Sequence, residues 1–486
     1  MFLGIDIGTS EVKVLLLADD GSAVATAGTP LSISRPHPGH SEQDPAEWWQ
    51  ATQSALAQLR AAEPQAYAAT RAIGLSGQMH GAVLLDAKDR VLRPAILWND
   101  TRSAVEAEEL MAELPTLPQI AGSLIVPGFT SPKLRWVQKH EPVIFAQVAK
   151  VLLPKDYLRL QLTGDYVSDL SDASGTAWLD VARRAWSDEL LALSDLTRAQ
   201  MPDVVEGSMV SGKLGGAAAA ALGLPPGIAV AGGAGDNASS AIGMGAVEAG
   251  QGFISLGTSG VVFVVTPRYL PDTARATHAF CHAVPGRWHQ MSVMLSAASC
   301  LTWATRLVGA ASEGALEAQA RSLSLAARET GPIFLPYLGG ERTPHNDANV
   351  RASFHGLSHD TDAAALAYGV IEGVSFGLMD GLAALRAAGS TVGRLSLVGG
   401  GARSAFWAQL LASLLQVEIV THADSAAGGA LGAARLAWLS TGAEIGEVCS
   451  EPAASREYRP DATEHAVLAP RYQRYTAIYP ALRGIG

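Results

Sequence analysis

Cysteine is scarce in this sequence, and its spacing indicates neither a crosslink nor a metal site. Cys281, Cys300 and Cys449 are the three cysteines among 486 residues. Their odd number and the absence of paired spacing argue against a disulfide framework and against a zinc motif. The sequence therefore predicts a protein of a reducing compartment.

Charge is scarce as well, and positive charge especially so. Charged residues make up 17% of the chain, the net charge is −11, and no lysine follows Lys213. The sequence lacks the basic field that attracts nucleic acid or an anionic membrane, so neither partner is expected. An anionic ligand would have to be held by local donors.

Neither a leader nor a membrane helix is indicated. Residues 1–10 include Asp6 and no basic residue, unlike a signal peptide. The longest uncharged stretch, Leu214–Gly235, contains Pro225, Pro226 and several glycines, which disfavour a membrane helix. We therefore expect a cytoplasmic protein.

What the chain has in quantity is length and apolar residues. Hydrophobic residues make up 48% of the 486 residues, which leaves room for large buried cores. A single core stops growing at about 250–300 residues. We therefore expect two domains, residues 1–245 and residues 246–486.

The sequence contains the same short motif twice. The apolar runs Leu3–Ile7 and Val12–Ala18 enclose Gly8-Thr9-Ser10, and Phe253–Val261 repeats the pattern around Gly257-Thr258-Ser259. Each copy predicts a β-hairpin. Because Thr9 and Thr258 lie 249 positions apart, about half the chain, we interpret the pattern as an internal duplication.

These two turns suit phosphate. A tight turn between strands presents backbone N–H groups and hydroxyls together, and such groups bind anions without a full positive charge. Either turn alone could be an ordinary hairpin turn. Their occurrence in matching contexts favours a phosphate site.

Two aspartates stand at positions that suggest chemistry. Asp6 lies in an apolar strand run, where a carboxylate is costly unless it is paired or near a metal. It could be a Mg²⁺–water partner beside phosphates or a hydrogen-bonded residue at a strand end. Asp236 follows the apolar strand Ile228–Ala231 and a run of glycines. It could be a helix N-cap or a general base for a substrate hydroxyl.

Two further glycine-rich segments follow different patterns. Gly399–Gly401 follows the apolar strand Leu395–Val398, and the sequence predicts close approach to an adenosine group or a plain strand–helix turn. Ser404 is the predicted cap of the next helix. Gly207–Lys213 has P-loop spacing, but the next residue is Leu214 rather than Ser or Thr, so we reject a P-loop there.

Together these motifs resemble the FGGY carbohydrate kinases. Gly128–His140 fits the first signature of that family, and Ala352–Glu372 fits the second except at Ala365 and Gly369. The similarity also extends through other segments: Ser34–Pro38, Ser41–Pro45, Gly77–Gly81, Arg93–Asp100, Leu153–Tyr157, Met291–Cys300 and Gly340–His345. Met79 and His80 stand where members acting on glycerol carry Arg-Glu, and the pair is similar to a selector for a linear ketopentose.

The resemblance implies an α/β fold of two actin-like (ribonuclease-H-like) ATPase domains with a central cleft. It implies ATP and Mg²⁺ as cofactors and the phosphorylation of D-xylulose on its 5-hydroxyl to D-xylulose 5-phosphate in pentose catabolism. A homodimer is also expected from the family.

The resemblance further implies roles for individual residues. Asp236 would be the general base, and Asp6 would contact the metal through water. The implied sugar contacts are Met79, His80, Trp98, Asp100 and Asn237. The implied nucleotide contacts are Thr9, Ser10, Gly257, Thr258, Gly400, Gly401 and Ser404.

Three other interpretations remain open at the level of sequence. The first is a family kinase for another ketose or polyol, such as ribulose or a pentitol, because few contacts distinguish such sugars. The second is an actin- or Hsp70-like nucleotide switch that binds protein partners. The third is a degenerate family member that senses sugar, which the intact Asp236 and both Gly-Thr-Ser turns disfavour.

Overall fold

The computed structural model describes residues 1–422 and 428–484. The strands up to residue 250 are β1 (Phe2–Ile7), β2 (Glu11–Leu17), β3 (Ala23–Pro30), β4 (Glu42–Gln43), β5 (Ala72–Gly77), β6 (Val83–Leu85), β7 (Ala95–Ile96), β8 (Lys150–Leu152), β9 (Val167–Asp169), β10 (Leu179–Asp180), β11 (Ala185–Trp186), β12 (Asp203–Val205), β13 (Val210–Lys213), β14 (Ala229–Ala231) and β15 (Ala234–Gly235). The helices of this half are α1 (Pro45–Ala62), α2 (Pro64–Ala68), α3 (Ala104–Glu113), α4 (Leu117–Ala121), α5 (Thr130–His140), α6 (Pro142–Phe145), α7 (Pro154–Thr163), α8 (Leu170–Ala173), α9 (Asp188–Ala192), α10 (Gly216–Leu222) and α11 (Asp236–Gly243).

The second half alternates strands and helices in the same way. Its strands are β16 (Gly252–Leu256), β17 (Gly260–Thr266), β18 (His278–Cys281), β19 (Trp288–Met294), β20 (Ile333–Leu335), β21 (Ser353–His355), β22 (Arg394–Val398), β23 (Glu418–His422) and β24 (Ala454–Tyr458). Its helices are α12 (Ala298–Leu307), α13 (Glu313–Ser322), α14 (Leu325–Thr330), α15 (Ala363–Ala387), α16 (Ala405–Leu415), α17 (Gly428–Leu439), α18 (Ile445–Val448) and α19 (Ala462–Leu482).

Each half of the chain builds its own mixed sheet. The first sheet has the order β13–β14–β5–β1–β2–β3, with β15 also pairing with β5, and the second has the order β18–β19–β17–β16–β22–β23–β24. In both, a central strand pairs antiparallel with the next strand and parallel with a distant one, as β1 does with β2 and β5, and β16 with β17 and β22. The two-domain α/β fold that the resemblance implies is confirmed.

The first sheet is covered on one face by helix α1. Asp44 caps this helix by accepting from the Ala46 N–H at 2.9 Å, and Pro45 occupies its first turn, where its missing N–H has no cost. Trp48 and Leu56 of α1 are buried in one core with the apolar residues of β1, β2 and β5. The sheet therefore presents its other face to a different helix.

That other helix comes from the far half of the chain. Helix α17 packs on β1, on β5 and on α11, so a helix from residues 246–486 covers the sheet built by residues 1–245. Glycine makes the approach possible, because a Cβ at Gly74 would lie 1.8 Å from the Ala433 carbonyl oxygen, and one at Gly4 would lie 2.0 Å from that of Ala430. The domain boundary at residues 245 and 246 stays a prediction.

Substitution of Gly74 by alanine is expected to destabilise the protein. The new methyl would overlap the backbone of α17, and overpacking of this kind costs about 1–3 kcal/mol. Gly216→Ala is the matched control, because a Cβ there meets nothing within 4 Å and the position lies in helix α10. Thermal unfolding followed by circular dichroism should show a lower Tm for Gly74→Ala and an unchanged or higher Tm for Gly216→Ala. Equal Tm values for the two variants would contradict this packing.

Helix α15 is the core helix of the second half. By length and composition it is the one described helix that could cross a membrane. Most of its residues are buried, however, and it packs against β19 and β20. Its Glu372 is fully buried and accepts from Arg471 Nε at 2.6 Å. The apolar character of α15 is therefore that of a helix inside a folded domain.

Candidate active site

Three adjacent strand ends bring distant segments of the first half together. In the parallel pairing of β1 with β5, Asp6 lies opposite Ser76, and in that of β15 with β5, Gly235 lies opposite Gly77. The chain therefore emerges at one sheet edge three times: after Asp6, before Met79 and His80, and before Asp236. Carboxyl ends of parallel strands are where sites form in α/β sheets.

The two aspartates at this edge are both half-buried, and the charge of Asp6 acts on Asp236. Ser76 Oγ donates to Asp6 Oδ1 at 2.7 Å, and burial raises the pKa of Asp6 against this hydrogen bond. Burial also raises the pKa of Asp236, to about 6, and the charge of Asp6 adds to the shift. Two neighbouring carboxylates with raised pKa values are typical of a functional site.

Asp236 is not the cap of its helix. The N-cap of α11 is Gly235, which makes no side-chain capping hydrogen bond. Asp236 is the first residue of the helix itself. Its Oδ1 accepts from the Asn237 backbone N–H at 2.7 Å and from Asn237 Nδ2 at 3.0 Å. Among the described residues, Asp236 Oδ2 has no hydrogen-bond partner. The carboxylate is thus oriented from one side by Asn237, and one oxygen is left for a ligand.

His80 has an unusual backbone and a defined tautomer. Its φ is +69°, a left-handed conformation that is uncommon for a residue with a side chain and often marks a functional site. His80 Nδ1 donates to the Gly175 carbonyl at 2.6 Å, and the ring stacks on Phe129 with centroids 4.6 Å apart. Burial lowers the pKa of His80 to about 3, helped by the charge of Lys133. The imidazole is therefore neutral, and Nε2 can accept a hydrogen bond from a hydroxyl.

Helix α5 holds His80 in this conformation. Lys133 Nζ donates to the His80 carbonyl at 2.8 Å, and Thr130 Oγ1 donates to the same oxygen at 3.2 Å. Lys133 is fully buried, and burial lowers its pKa well below the ordinary value. The segment Gly128–His140, which fits the first family signature, thus holds the His80 backbone through two side-chain hydrogen bonds to its carbonyl.

Met79 lies between the His80 anchor and the Asp236 loop. A Cβ at Gly235 would be 2.8 Å from Met79 Cγ, and one at Gly175 would be 2.9 Å from Met79 Cε. The side chain therefore fills the space between these two glycines. A sugar contact by Met79 stays a prediction.

Trp98 and Asp100 play different parts in the structure. Trp98 is 48% exposed, and its Nε1 donates to Thr9 Oγ1 at 2.9 Å, so the indole stands beside the first Gly-Thr-Ser turn. Asp100 is buried and accepts from the Ser41 N–H and, with both oxygens, from Arg102. Burial opposes ionisation of Asp100, but these hydrogen bonds hold its pKa below the ordinary value. Both oxygens of Asp100 are thus already used in this network. A sugar contact by Asp100 stays a prediction.

The second Gly-Thr-Ser turn is anchored by helix α12. The Ala298 N–H donates to the Gly257 carbonyl at 2.8 Å, and the Ala297 N–H donates to the Thr258 carbonyl at 2.9 Å. Ser299 Oγ also donates to the Thr258 carbonyl, at 2.7 Å. The carbonyls of the turn therefore point into the protein, toward the start of the helix.

The glycine loop after β22 packs against the strand that carries this turn. Gly399 has a φ of +89°, and a Cβ there would lie 2.8 Å from the Leu256 carbonyl oxygen; one at Gly401 would lie 2.4 Å from Leu256 Cγ. Ser404 Oγ accepts from the Trp407 N–H at 3.0 Å and donates to Glu317 at 2.6 Å. The predicted helix cap is confirmed, and the loop lies beside the second turn.

Family models match both halves of the chain. A model described as the FGGY family of carbohydrate kinases, N-terminal domain, matches residues 1–243, and the C-terminal domain of the same family matches residues 252–441. The chain belongs to the FGGY family of carbohydrate kinases. The fold and the enzyme class expected from the sequence motifs are thereby confirmed.

Several FGGY kinases are similar over their whole length. A xylulose kinase of Escherichia coli (strain K12) is 49% identical over 485 residues, covering 99% of each chain. The crystal structure of a xyloylose kinase from Brucella ovis superposes with a TM-score of 0.97 at 51% identity, covering 100% of each chain. A gluconate kinase from Lactobacillus acidophilus superposes with a TM-score of 0.93 at 27% identity, covering 99% of this chain and 98% of that one.

The structure of this FGGY kinase also brings in residues that the motifs did not single out. A Cβ at Gly429, near the start of α17, would lie 2.4 Å from Asp6 Oδ2, so the helix that crosses from the second half touches the first aspartate. Ser76 and Gly175 hold Asp6 and His80. The sequence offered a signal for Gly429, because a pair of glycines there precedes an alanine-rich run. It offered no signal for Ser76 or Gly175.

Proposed function

We propose that this FGGY kinase transfers the γ-phosphoryl group of ATP to the 5-hydroxyl of D-xylulose. The observation that carries the proposal is the convergence of Met79, His80 and Asp236 at one sheet edge, in a chain whose similar relatives are named xylulose kinase. A neutral His80 Nε2 would accept from one sugar hydroxyl, and Met79 would limit the width of the site. Trp98, Asn237 and Asp100 are the other proposed sugar contacts.

Asp236 is the proposed general base. Its Oδ2 would accept the proton of the sugar hydroxyl as that oxygen attacks phosphorus, while Asn237 holds Oδ1. Phosphoryl transfer depends mainly on positioning and charge stabilisation, so the base also orients the attacking oxygen. A pKa of about 6 leaves the carboxylate ionised at neutral pH and still basic enough to take a proton.

The nucleotide would lie between the two halves of the chain. We propose that the turns at Thr9, Ser10, Gly257 and Thr258 present backbone N–H groups to the phosphates. Gly400, Gly401 and Ser404 would lie near the nucleoside. The anchoring of the Gly257 and Thr258 carbonyls supports this proposal, because it fixes the conformation of the turn. The Gly257 N–H itself donates to the Ser259 carbonyl at 3.1 Å, so the Thr258 N–H is the proposed phosphate donor of this turn.

The residues present fit Mg²⁺ held jointly with phosphate. Within the described residues there is no group of three or more His, Cys, Asp or Glu that could hold a metal, whereas Asp6 supplies one half-buried carboxylate. Mg²⁺ keeps several waters and takes one or two carboxylates plus substrate phosphates, which matches Asp6 acting through water. Bound with ATP, Mg²⁺ would neutralise negative charge on the phosphates.

The proposal is tested by an ADP-release assay with Mg·ATP over a panel of sugars. D-xylulose, ribulose, pentitols, gluconate, glycerol and a blank without sugar separate the candidate substrates. We expect the highest kcat/KM with D-xylulose. A higher value with another ketose or polyol would reassign the substrate, and turnover that never exceeds the blank would favour a nucleotide switch.

The pH dependence of kcat/KM should report the ionisation of Asp236. Because the raised pKa of about 6 belongs to a group that acts as a base, activity is complete above this pH and is lost as the pH falls through it. Below pH 6 we expect kcat/KM to fall about tenfold per pH unit. Initial rates between pH 4.5 and about 8, with enzyme returned to neutral pH as a stability control, measure the midpoint. A midpoint near the ordinary Asp value would contradict the role.

We also propose that the enzyme is located in the cytoplasm and acts in pentose catabolism. The three cysteines are buried and unpaired in the structure, as is typical of a reducing compartment.

A further inference from the structure

Two buried glutamines lie directly beneath the first Gly-Thr-Ser turn. Gln78 Nε2 donates to Gln43 Oε1 at 2.9 Å, and Gln43 Nε2 donates to the Thr9 carbonyl at 2.7 Å and to the Ser32 carbonyl at 3.0 Å. Trp48 Nε1 also donates to Gln43 Oε1, at 3.0 Å, so this oxygen accepts two hydrogen bonds. Both glutamines are 2% exposed, so their amide groups form hydrogen bonds with protein atoms rather than with water.

The hydroxyl of Thr9 joins this network to the exposed tryptophan. Thr9 Oγ1 donates to Gln78 Oε1 at 3.2 Å and accepts from Trp98 Nε1 at 2.9 Å. The single hydroxyl hydrogen of Thr9 is therefore directed inward. The turn then faces a phosphate with its backbone N–H groups, whose direction depends on the hydrogen bonds of Gln43 and Gln78.

Gln78 is also continuous with the proposed sugar contacts. It follows β5, its backbone N–H donates to the Ile7 carbonyl at 2.8 Å, and Met79 and His80 come next in the chain. One residue thus holds β1 through its backbone, the Thr9 hydroxyl through its side-chain oxygen and Gln43 through its side-chain nitrogen. A shift of Met79 and His80 on sugar binding would move the amide that orients the phosphate turn.

We propose that Gln78 and Gln43 are positioning residues that couple sugar occupancy at Met79, His80 and Trp98 to the geometry of the phosphate turn at Thr9. The inference rests on the proposed function and deepens it. Neither glutamine needs to touch the reacting atoms. Buried networks of this kind have few alternative arrangements, because each unsatisfied amide is costly, so a displacement at one end is transmitted to the other.

The experiment compares Gln78→Met, Gln43→Met and the double variant with the wild type. Methionine keeps the unbranched shape and removes the amide. For Gln78→Met we expect kcat of sugar phosphorylation to fall about 10- to 100-fold, because small misplacements of reacting groups have effects of that size, with sugar KM within about threefold of wild type. We also expect the double variant to resemble the worse single variant, because residues acting as a unit are not additive.

A second readout separates coupling from simple loss of stability. Sugar should increase the affinity of the wild type for a non-hydrolysable ATP analogue, and this increase should shrink in Gln78→Met and Gln43→Met. Gln58→Met is the matched control, because Gln58 bonds the Gly28 carbonyl and the Thr29 hydroxyl on the exposed side of α1. It should leave kcat, KM and the effect of sugar unchanged.

Three results would overturn the coupling. They are kcat values of both variants within about twofold of wild type, an unchanged effect of sugar on nucleotide affinity, and additive losses in the double variant. If Gln78→Met does not fold, Gln78→Glu replaces it, because that change keeps the Thr9 acceptor and removes the donor to Gln43. All comparisons use the sugar on which the wild type is most active, so failure with D-xylulose alone would refute the proposed substrate and not the coupling.

Discussion

Replacing Asp236 with asparagine is expected to lower kcat of sugar phosphorylation by about 10²–10⁴-fold. The amide keeps the size of the side chain and can still meet Asn237, but it cannot accept the proton of the sugar hydroxyl. Sugar affinity should change little, because Met79 and His80 remain in place. Single-turnover kinetics for the chemical step and calorimetric titration for sugar binding measure the two quantities separately.

The control for Asp236→Asn is Asp203→Asn. Asp203 is exposed in β12, which pairs with β9 in a sheet separate from the three strands at the site, so neither kcat nor the pH profile should change. The Asp236 variant should also lose the decrease in kcat/KM below pH 6. A kcat within about fivefold of wild type, or an acid limb that survives the substitution, would remove Asp236 from the role of base.

Replacing Lys155 with methionine is expected to destabilise the first half severely. Lys155 Nζ lies 2.6 Å from Asp156 Oδ1, 2.9 Å from Asp169 Oδ1 and 3.1 Å from Asp172 Oδ2, and all four side chains are 0% exposed. Removing the shared cation leaves the three buried carboxylates with Arg159, whose Nη2 lies 4.0 Å from Asp156 Oδ1, as their nearby cation among the described residues. Breaking a buried ion pair in this way costs about 3–5 kcal/mol. Thermal unfolding and limited proteolysis should show a large loss of stability.

A second substitution tests the electrostatic cause of that loss. Burial raises the pKa of Asp172 well above its ordinary value, against the charge of Lys155, so the charged form of Asp172 is costly in this cluster and a neutral amide would remove that cost. Lys155→Met with Asp172→Asn should recover part of the Tm lost by the single variant. Arg198→Met, which breaks an exposed pair with Asp188, is the surface control and should alter Tm little. Equal losses in the single and double variants would show that shape rather than charge is responsible.

The Lys155 cluster also lies directly beneath the proposed site. A Cβ at Gly77 would be 3.3 Å from Lys155 Cβ. Asp169 Oδ2 accepts from Ser171 Oγ at 2.5 Å, and that hydroxyl accepts from the Gly235 N–H at 3.2 Å. The cluster thus supports both the chain leading to His80 and the chain leading to Asp236, so its loss should reduce activity as well as stability.

Local features of the sequence predicted individual elements well. The strands expected at Ile228–Ala231 and Leu395–Val398 are observed as Ala229–Ala231 and Arg394–Val398. The hairpins around Gly8-Thr9-Ser10 and Gly257-Thr258-Ser259 are observed at the predicted positions. Hydrophobic periodicity, turn glycines and helix caps depend on residues within a few positions of one another. A single sequence is therefore sufficient to recognise them.

The sequence by itself determined the fold class, the repeated phosphate-type turns and the candidate residues Asp6, His80 and Asp236. The tertiary structure decided which residues meet: Asp100 with Ser41, Gly429 with Asp6, and Gln43 with Gln78. These contacts join segments that are mostly far apart along the chain. Strand pairing and helix packing bring such segments together, and the pattern of residues within any one segment does not specify its partner.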